Sequence, residues 1–312
     1  MEAALCAIHR NGPGRHRDVG AALVLAAVAC LTPVAGNAYT AAGDRNFPAT
    51  LVLPQVAPSD AFWFTPGTLP ISNGDRSQYS TQLSGTYSKT LTERLGLQLE
   101  DGFTRLGSRW GAQNLDVQLQ YEAILDPAHE FVLSVQVDHE FGGTGSRRVG
   151  SSPQGATQPS ITFAKGLGDL PIGHWRPLAI TGFAGYQIAD GGGNRPNLVQ
   201  AGLSVQYSFP YLASKVASVN LPPFLRDVIP ITEFRLTTGA GNGARARDQG
   251  MTLLVAPGAV YSPGNGLEFG IEAQIPTNRA TGRGVGVIAQ LEVQLDYLLP
   301  ESVFGRPIFH PR

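Results

Sequence analysis

Segment after segment of this chain alternates apolar and polar residues with a strict period of two, and that pattern constrains the fold more than any motif does. Residues 114–125 are the cleanest case: Leu115, Val117, Leu119, Tyr121, Ala123 and Leu125 fall on one face, and Asp116, Gln118, Gln120 and Glu122 on the other. Residues 285–297 repeat it, with Val285, Val287, Ala289, Leu291, Val293, Leu295 and Tyr297 set against Gln290, Glu292, Gln294 and Asp296. Successive side chains of a strand point to opposite sides, so a period of two marks a strand between unlike surroundings. Such strands can sit in lipid only as a closed barrel, because hydrocarbon offers no partner for an open edge.

The first 38 residues point the same way. Arg15 and Arg17 precede a short apolar run over 21–31, and Gly36 and Ala38 close it. The run is too short to span a bilayer as a helix and ends in small residues, which is the pattern of a cleavable export signal, with cleavage expected after Ala38. Both cysteines, Cys6 and Cys30, lie in this segment, so the mature chain would carry no disulfide. Ala27-Val28-Ala29-Cys30 is a weak form of a lipidation pattern, which leaves acylation of Cys30 as a rival reading. A net charge of −1 gives no reason to expect a nucleic-acid partner.

Residues 39–76 alternate poorly and hold Pro48, Pro54, Pro58, Pro66 and Pro70. Proline removes a ladder donor, so this stretch is expected to be a periplasmic or lumenal lead-in, with a possible first strand around 61–70. The barrel is expected over 77–297 and a tail over 298–312. Within the barrel the alternation marks strands at 77–88, 95–106, 114–125, 131–141, 159–167, 177–189, 197–208, 228–238, 250–261, 267–275 and 285–297. Compact turns alternate with longer polar loops between them, and outer-membrane barrels put short turns on the periplasmic side and longer loops outside. The exception, 209–227, falls where a short turn is due but is long and proline-broken, with a short helix expected near 211–219. Parity then demands one more rising strand before the first of the set. The expected architecture is all-β, a transmembrane antiparallel up-and-down barrel of about 12 strands in the bacterial outer membrane, ten and fourteen being the neighbouring counts.

Apolar faces must meet lipid, since carboxylates turned to hydrocarbon would each cost several kcal/mol. The acidic residues expected to face the lumen are Glu100, Asp116, Glu122, Asp138, Glu140, Glu233, Glu268, Glu272, Glu292 and Asp296, with Arg235 as the clearest inward base. A turn at 126–130 that sets Leu125 opposite Phe131 would place Asp116 across from Glu140 and Gln118 across from Asp138. Carboxylates so close repel unless water or cations lie between them. Aromatic residues near the strand ends, Tyr79, Trp110, Phe141, Trp175 and Tyr261 among them, suit the girdles at a membrane surface. Arg147, Arg148, Arg245, Arg247, Arg279 and Arg283 fall in or beside the longer loops, where guanidinium groups could bind lipopolysaccharide phosphates or simply be solvated.

No catalytic set emerges, and neither cofactor nor metal is expected. His129 and His174 fall in turns, and His139 faces away from Asp138 and Glu140, so those three cannot converge on one metal from a regular strand. The glycines at 191–193 and at Gly282, Gly284 and Gly286 lack the strand-turn-helix setting of a nucleotide loop.

Lys165-Gly166-Leu167-Gly168-Asp169-Leu170-Pro171, followed by Arg176-Pro177, resembles the Gly-Asp turn of outer-membrane barrels associated with meta-pathway phenol degradation and of a set of exported relatives. Residues 275–287 and the tail Gly305-Arg306-Pro307-Ile308-Phe309 are similar to the latter set. The resemblance implies a barrel with a role in uptake of aromatic solutes, and it carries no catalytic residues. Two functions follow as expectations: a passive channel for a small polar, cationic or aromatic solute, or a plugged structural barrel that meets lipopolysaccharide or another surface partner through its arginine loops. Oligomeric state is not legible.

Overall fold

The computed structural model describes residues 40–73, 76–191, 195–241 and 250–309. The expected export signal, Arg245 and Arg247 lie outside the described residues. Two short strands, β1 (Thr40–Ala42) and β2 (Arg45–Phe47), form a hairpin of their own. The wall consists of β3 (Ala61–Asn73), β4 (Arg76–Thr90), β5 (Leu95–Leu106), β7 (Leu115–Asp126), β8 (Phe131–Phe141), β9 (Ala156–Gly166), β10 (Leu178–Ala189), β11 (Leu198–Tyr207), β12 (Val228–Gly239), β13 (Thr252–Tyr261), β14 (Leu267–Pro276) and β15 (Gly286–Gln294). A four-residue strand, β6 (Arg109–Ala112), extends the loop end of β5. Each wall strand pairs antiparallel with its chain neighbours, and β3 pairs with both β4 and β15, which closes a twelve-stranded ring.

The connections at 91–94, 127–130, 167–177, 208–227 and 262–266 gather at one end of the barrel. The N-terminal hairpin and the tail lie there too: β1 packs beside the turn at Pro127–His129, and Ile308 N–H donates to Thr90 O. In an outer-membrane barrel this is the periplasmic end, and the longer loops project outside. The exception at 209–227 holds a short helix, Phe209–Tyr211 continuing as Leu212–Val216.

The wall is inverted relative to a water-soluble protein. Leu119 is 46 % exposed, while its strand neighbours Gln118 and Gln120 are 8 % and 1 % exposed. Val137, Ile161, Ile271 and Val287 face outward in the same way. Only a hydrocarbon surround makes that arrangement favourable. Leu119 sits midway along β7, so Leu119→Arg is expected to destabilise the barrel folded in lipid vesicles by about 2–4 kcal/mol; Leu119→Val should cost far less, and equal urea midpoints for the two would refute the lipid-facing assignment.

Several expectations need correction. The strand expected around 61–70 runs on to Asn73, with Pro66 and Pro70 inside it. Pairing between β3 and β15 lapses at Thr65 and Pro66, where the missing N–H would have fallen. On β7 the alternation is not continuous. A bulge between Glu122 and Ile124 pairs Asp126 with Phe131 and Leu125 with Val132, whereas above it Asp116 lies opposite Glu140 and Gln118 opposite Asp138. The extra residue turns Leu125 to the inner side and Ile124 to the outer one. β15 ends at Gln294, so Asp296 is not on a wall strand. It lies in a helical turn, Leu295–Leu298, with its N–H near Asp60 O.

Burial, and then the neighbouring Asp60 charge, push the Asp296 carboxyl up to about 7. An acid with a folded-state pKa above its unfolded value of ~3.9 favours folding less and less as pH rises from there toward 7. Asp296→Asn is therefore expected to raise the urea midpoint at pH 8 and leave it unchanged at pH 4; an unchanged midpoint at both values would refute this.

A plugged lumen with a carboxylate-lined vestibule

Residues 43–60 fill the periplasmic half of the barrel. The segment enters beside the 127–130 turn, rises to a tip at residues 50–54 and descends to Asp60, where β3 begins. Three prolines, Pro48, Pro54 and Pro58, keep it out of the ladder. Its backbone groups must then find other partners inside a protein interior. They find them on the inner faces of the wall strands.

The tip is held by two residues of β12. Glu233, 0 % exposed, accepts the N–H groups of Leu51 (2.8 Å, Oε1), Val52 (3.0 Å, Oε2) and Leu53 (2.8 Å, Oε2). Arg235 Nη1 donates to Val52 O at 3.2 Å. Positions 233 and 235 share the inner face of one strand, so a carboxylate and a guanidinium meet consecutive donors and an acceptor of the same loop. Around the tip, Glu268 accepts Ala49 N–H at 3.3 Å, Gln120 Nε2 donates to Gln55 O at 2.9 Å, and Thr162 Oγ1 donates to Val56 O at 3.2 Å. Apolar contacts add to these. Phe47, Val56 and Ala57 pack on Val132, Ala164 and Ala179, and Leu51 packs on Ile231 and Val260.

A second anchor lies at the periplasmic mouth. Arg45, 1 % exposed, pairs with Glu130 (Nε to Oε2, 3.2 Å), donates to Pro177 O at 3.0 Å and to the carbonyl of Arg176, and stacks 3.8 Å from the centre of the Tyr211 ring. Burial pulls the guanidinium below its ordinary pKa, opposed by the charge of Glu130. Glu130 also accepts from Gly168 N–H (3.1 Å) and Tyr211 Oη–H (2.9 Å). Its backbone sits at φ 49°, a left-handed conformation that no other described non-glycine residue adopts and that costs of order 1–3 kcal/mol unless surroundings fix it. The Gly-Asp turn has its meaning here. A Cβ at Gly166 or Gly168 would collide with the Glu130 carboxylate. The third anchor is Asp60, which accepts from Lys89 Nζ (2.7 Å), Thr90 N–H (2.6 Å) and Thr90 Oγ1 (2.8 Å); Lys89 in turn donates to Arg306 O of the tail at 2.8 Å.

On the loop side of the plug lies a cavity of about 440 Å³, floored by residues 50–55. Its wall carries Glu100, Asp116, Asp138 and Glu140 among a collar of glutamines that includes Gln98, Gln118, Gln136, Gln200 and Gln274. Strand register sets the carboxylates in rows. Thr86, Glu100, Asp116 and Glu140 are successive cross-strand partners, and Ser88, Gln98, Gln118, Asp138 and Gln158 form the next row. Glu100 accepts from Thr86 Oγ1 at 3.2 Å, and Glu140 accepts from Asn114 Nδ2 at 2.5 Å and pairs with Arg195.

The acidic residues expected in a wet lumen therefore separate into groups. Glu100, Asp116, Asp138 and Glu140 line the cavity. Glu233, Glu268, Glu272 and Glu292 do not. They are buried beside the plug, Glu268 opposite Glu292 in register, which corrects the expectation of a solvated interior throughout. Glu122 shares the inner face opposite Ser134 but lies below the cavity, and Asp296 is in the helical turn at the mouth. Arg147 and Arg148 are exposed on a single turn, Arg147–Val149, anchored by buried Val149. Arg279 is exposed and Arg283 half-buried in the 277–285 loop. His139 meets Thr157 Oγ1 at 2.9 Å on the outer side. Sequence reading missed Arg45, Glu130, Asp60, Lys89 and Tyr211. Of the three anchors of the plug, only the inward Glu233/Arg235 pair was visible as a charge pattern.

No family model matches the chain, and no curated protein matches it in sequence. Among solved structures it is similar to an outer-membrane channel described as COG4313, from Pseudomonas putida F1 (13 % identity, 80 % of this chain and 99 % of that one, TM-score 0.49). It is also similar to the NanC porin (11 %, 75 % and 98 %, 0.47) and the KdgM porin (10 %, 75 % and 98 %, 0.46). The barrel is established by its own strand pairing, not by these likenesses.

Proposed function

We propose that this chain is an outer-membrane channel, closed in this state by its N-terminal segment, whose loop-side vestibule admits small polar solutes with a preference for cations. The observation that carries the reading is the placement of the cavity. It is enclosed by the barrel wall, lined by amides and carboxylates, and stopped from below by the 50–55 loop, which is no part of the wall ladder. Rings of carboxylates favour cations in a pore. The test is planar-bilayer recording under a salt gradient with Glu233→Leu, which loosens the tip. A reversal potential of cation-selective sign is expected, and it should shrink with Asp116→Asn and Asp138→Asn together; an anion-selective sign would overturn the preference.

A second reading rests on the same plug. A barrel filled by apolar clusters and three buried polar anchors could be permanently closed, with its work done by the exposed Arg147 and Arg148. On that reading Arg147→Ala with Arg148→Ala would weaken binding to lipopolysaccharide-containing vesicles at low salt, and loosening the plug would yield no current.

A further inference from the structure

We propose that the vestibule binds a small hydroxylated amine, of the aminosugar or amino-alcohol class, with its ammonium between Asp116 and Asp138 and its hydroxyls on the glutamine collar. The proposal rests on the vestibule being a solute site and adds the class of solute.

Three carboxylates directly opposite one another on adjacent strands repel, and such pairs ordinarily destabilise a sheet. Two of the four cavity carboxylates have compensation from the protein: Glu100 from Thr86, and Glu140 from Asn114 and Arg195. Asp116 and Asp138, diagonal neighbours on β7 and β8, form no direct hydrogen bond or ion pair with the described residues; the Arg195 charge, which pairs with Glu140, also acts on Asp116 but leaves Asp138 unmatched. A positive charge between them would relieve both.

Independent of the charges, two amides in the cavity wall are left incomplete. Gln98 is 8 % exposed and its Nε2 has no partner; Gln274 is 1 % exposed and its Oε1 has none. A buried amide group left unmade costs about 1–3 kcal/mol. Both atoms are shut off from the cavity as the side chains stand; a turn of either side chain presents one to an acceptor and the other to a donor, and a hydroxyl supplies either. A bare metal ion does not fit, because among the described residues no three acidic, histidine or cysteine side chains come close enough to hold one. The cavity, about 440 Å³, lies in the range of small-molecule sites, roughly 300–1,000 Å³. Arg235 in the floor, bonded to Val52 O and to Gln200 Oε1 at 2.8 Å, repels a second positive charge there and sets the amine toward the aspartates.

The test is calorimetric titration of the refolded full chain in detergent with glucosamine, N-acetylglucosamine, glucose and putrescine. Glucosamine is expected to bind at least about tenfold more tightly than glucose, which keeps the shape and loses the charge, and than N-acetylglucosamine, which loses the charge and gains an acetyl group, the loss of a charge-assisted hydrogen bond being of that order. Putrescine, with charge and no hydroxyls, should also be weaker, and Gln98→Leu should narrow its gap to glucosamine. Asp116→Asn with Asp138→Asn should lose about tenfold for glucosamine. Misfolding would not explain that loss, because removing two like charges should stabilise the wall. Asp169→Asn, in a periplasmic turn, should change nothing. Glucosamine binding no tighter than glucose, or equally well to the double variant, would overturn the proposal. A barrel that binds glucosamine yet stays silent in bilayers would refute the channel reading alone.

Discussion

Removing residues 43–57 is expected to turn a sealed barrel into a conducting one. Every hydrogen bond that closes the ring runs between wall strands, so the deletion takes none of them away. It exposes Glu233, Arg235, Glu268 and Gln120 to water, which solvates them, where lipid could not. It also strips Val132, Ala164, Ala179, Ile231 and Val260 of their apolar partners, a loss that falls on the plug's attachment rather than on the ladder. Planar-bilayer recording should give discrete steps with the deletion and none, or rare brief ones, with the full chain. Glu233→Leu alone should lie between, because three N–H groups at the tip lose their acceptor at about 1–3 kcal/mol each if left unmade. A folded deletion variant that stays silent at high protein load would mean that the wall side chains, not the plug, close the lumen.

Arg45→Met is expected to destabilise the attachment of the plug by about 3–5 kcal/mol, the usual penalty for leaving one member of a buried ion pair alone. Glu130 would keep its contacts with Gly168 and Tyr211 but lose the guanidinium that balances its charge. Limited proteolysis should then cut within 43–60 at denaturant concentrations where the wild-type segment is protected. Combining Arg45→Met with Glu130→Gln removes both charges, and should recover much of the protection because no buried charge is left unpaired. Equal protection of the wild type and the single variant would show that the tip, not the foot, holds the plug.

The wall was legible because alternation is a local property. Each of the segments from 77 onward carries its own lipid face, and counting them with one extra strand at 61–70 gives the ring that forms. The Asp116–Glu140 and Gln118–Asp138 pairings also followed from simple counting, although the turn itself is offset by one residue. The bulge at Ala123 absorbs that offset. The extra strand carries Pro66 and Pro70, tolerated where its pairing with β15 lapses.

The candidate site was legible only in part. Glu233 and Asp116 look identical in the sequence, as acids on polar faces, yet one is sealed under three backbone amides and the other faces a cavity. The difference comes from a segment nearly two hundred residues away in the chain. Arg45 and Glu130 carry no periodic signal at all. Their pairing exists because the 43–60 loop happens to enter beside a turn whose residue 130 adopts a left-handed backbone.

The sequence by itself determined that this chain folds as a closed antiparallel barrel with an apolar exterior and a polar inner wall, because the choice between lipid and lumen is made residue by residue along each strand. Only the tertiary structure decided which part of that inner wall is wet. A loop without periodicity fills one half, since unpaired backbone groups must be satisfied wherever donors and acceptors are already waiting, and the carboxylates it does not reach are left to face a solute.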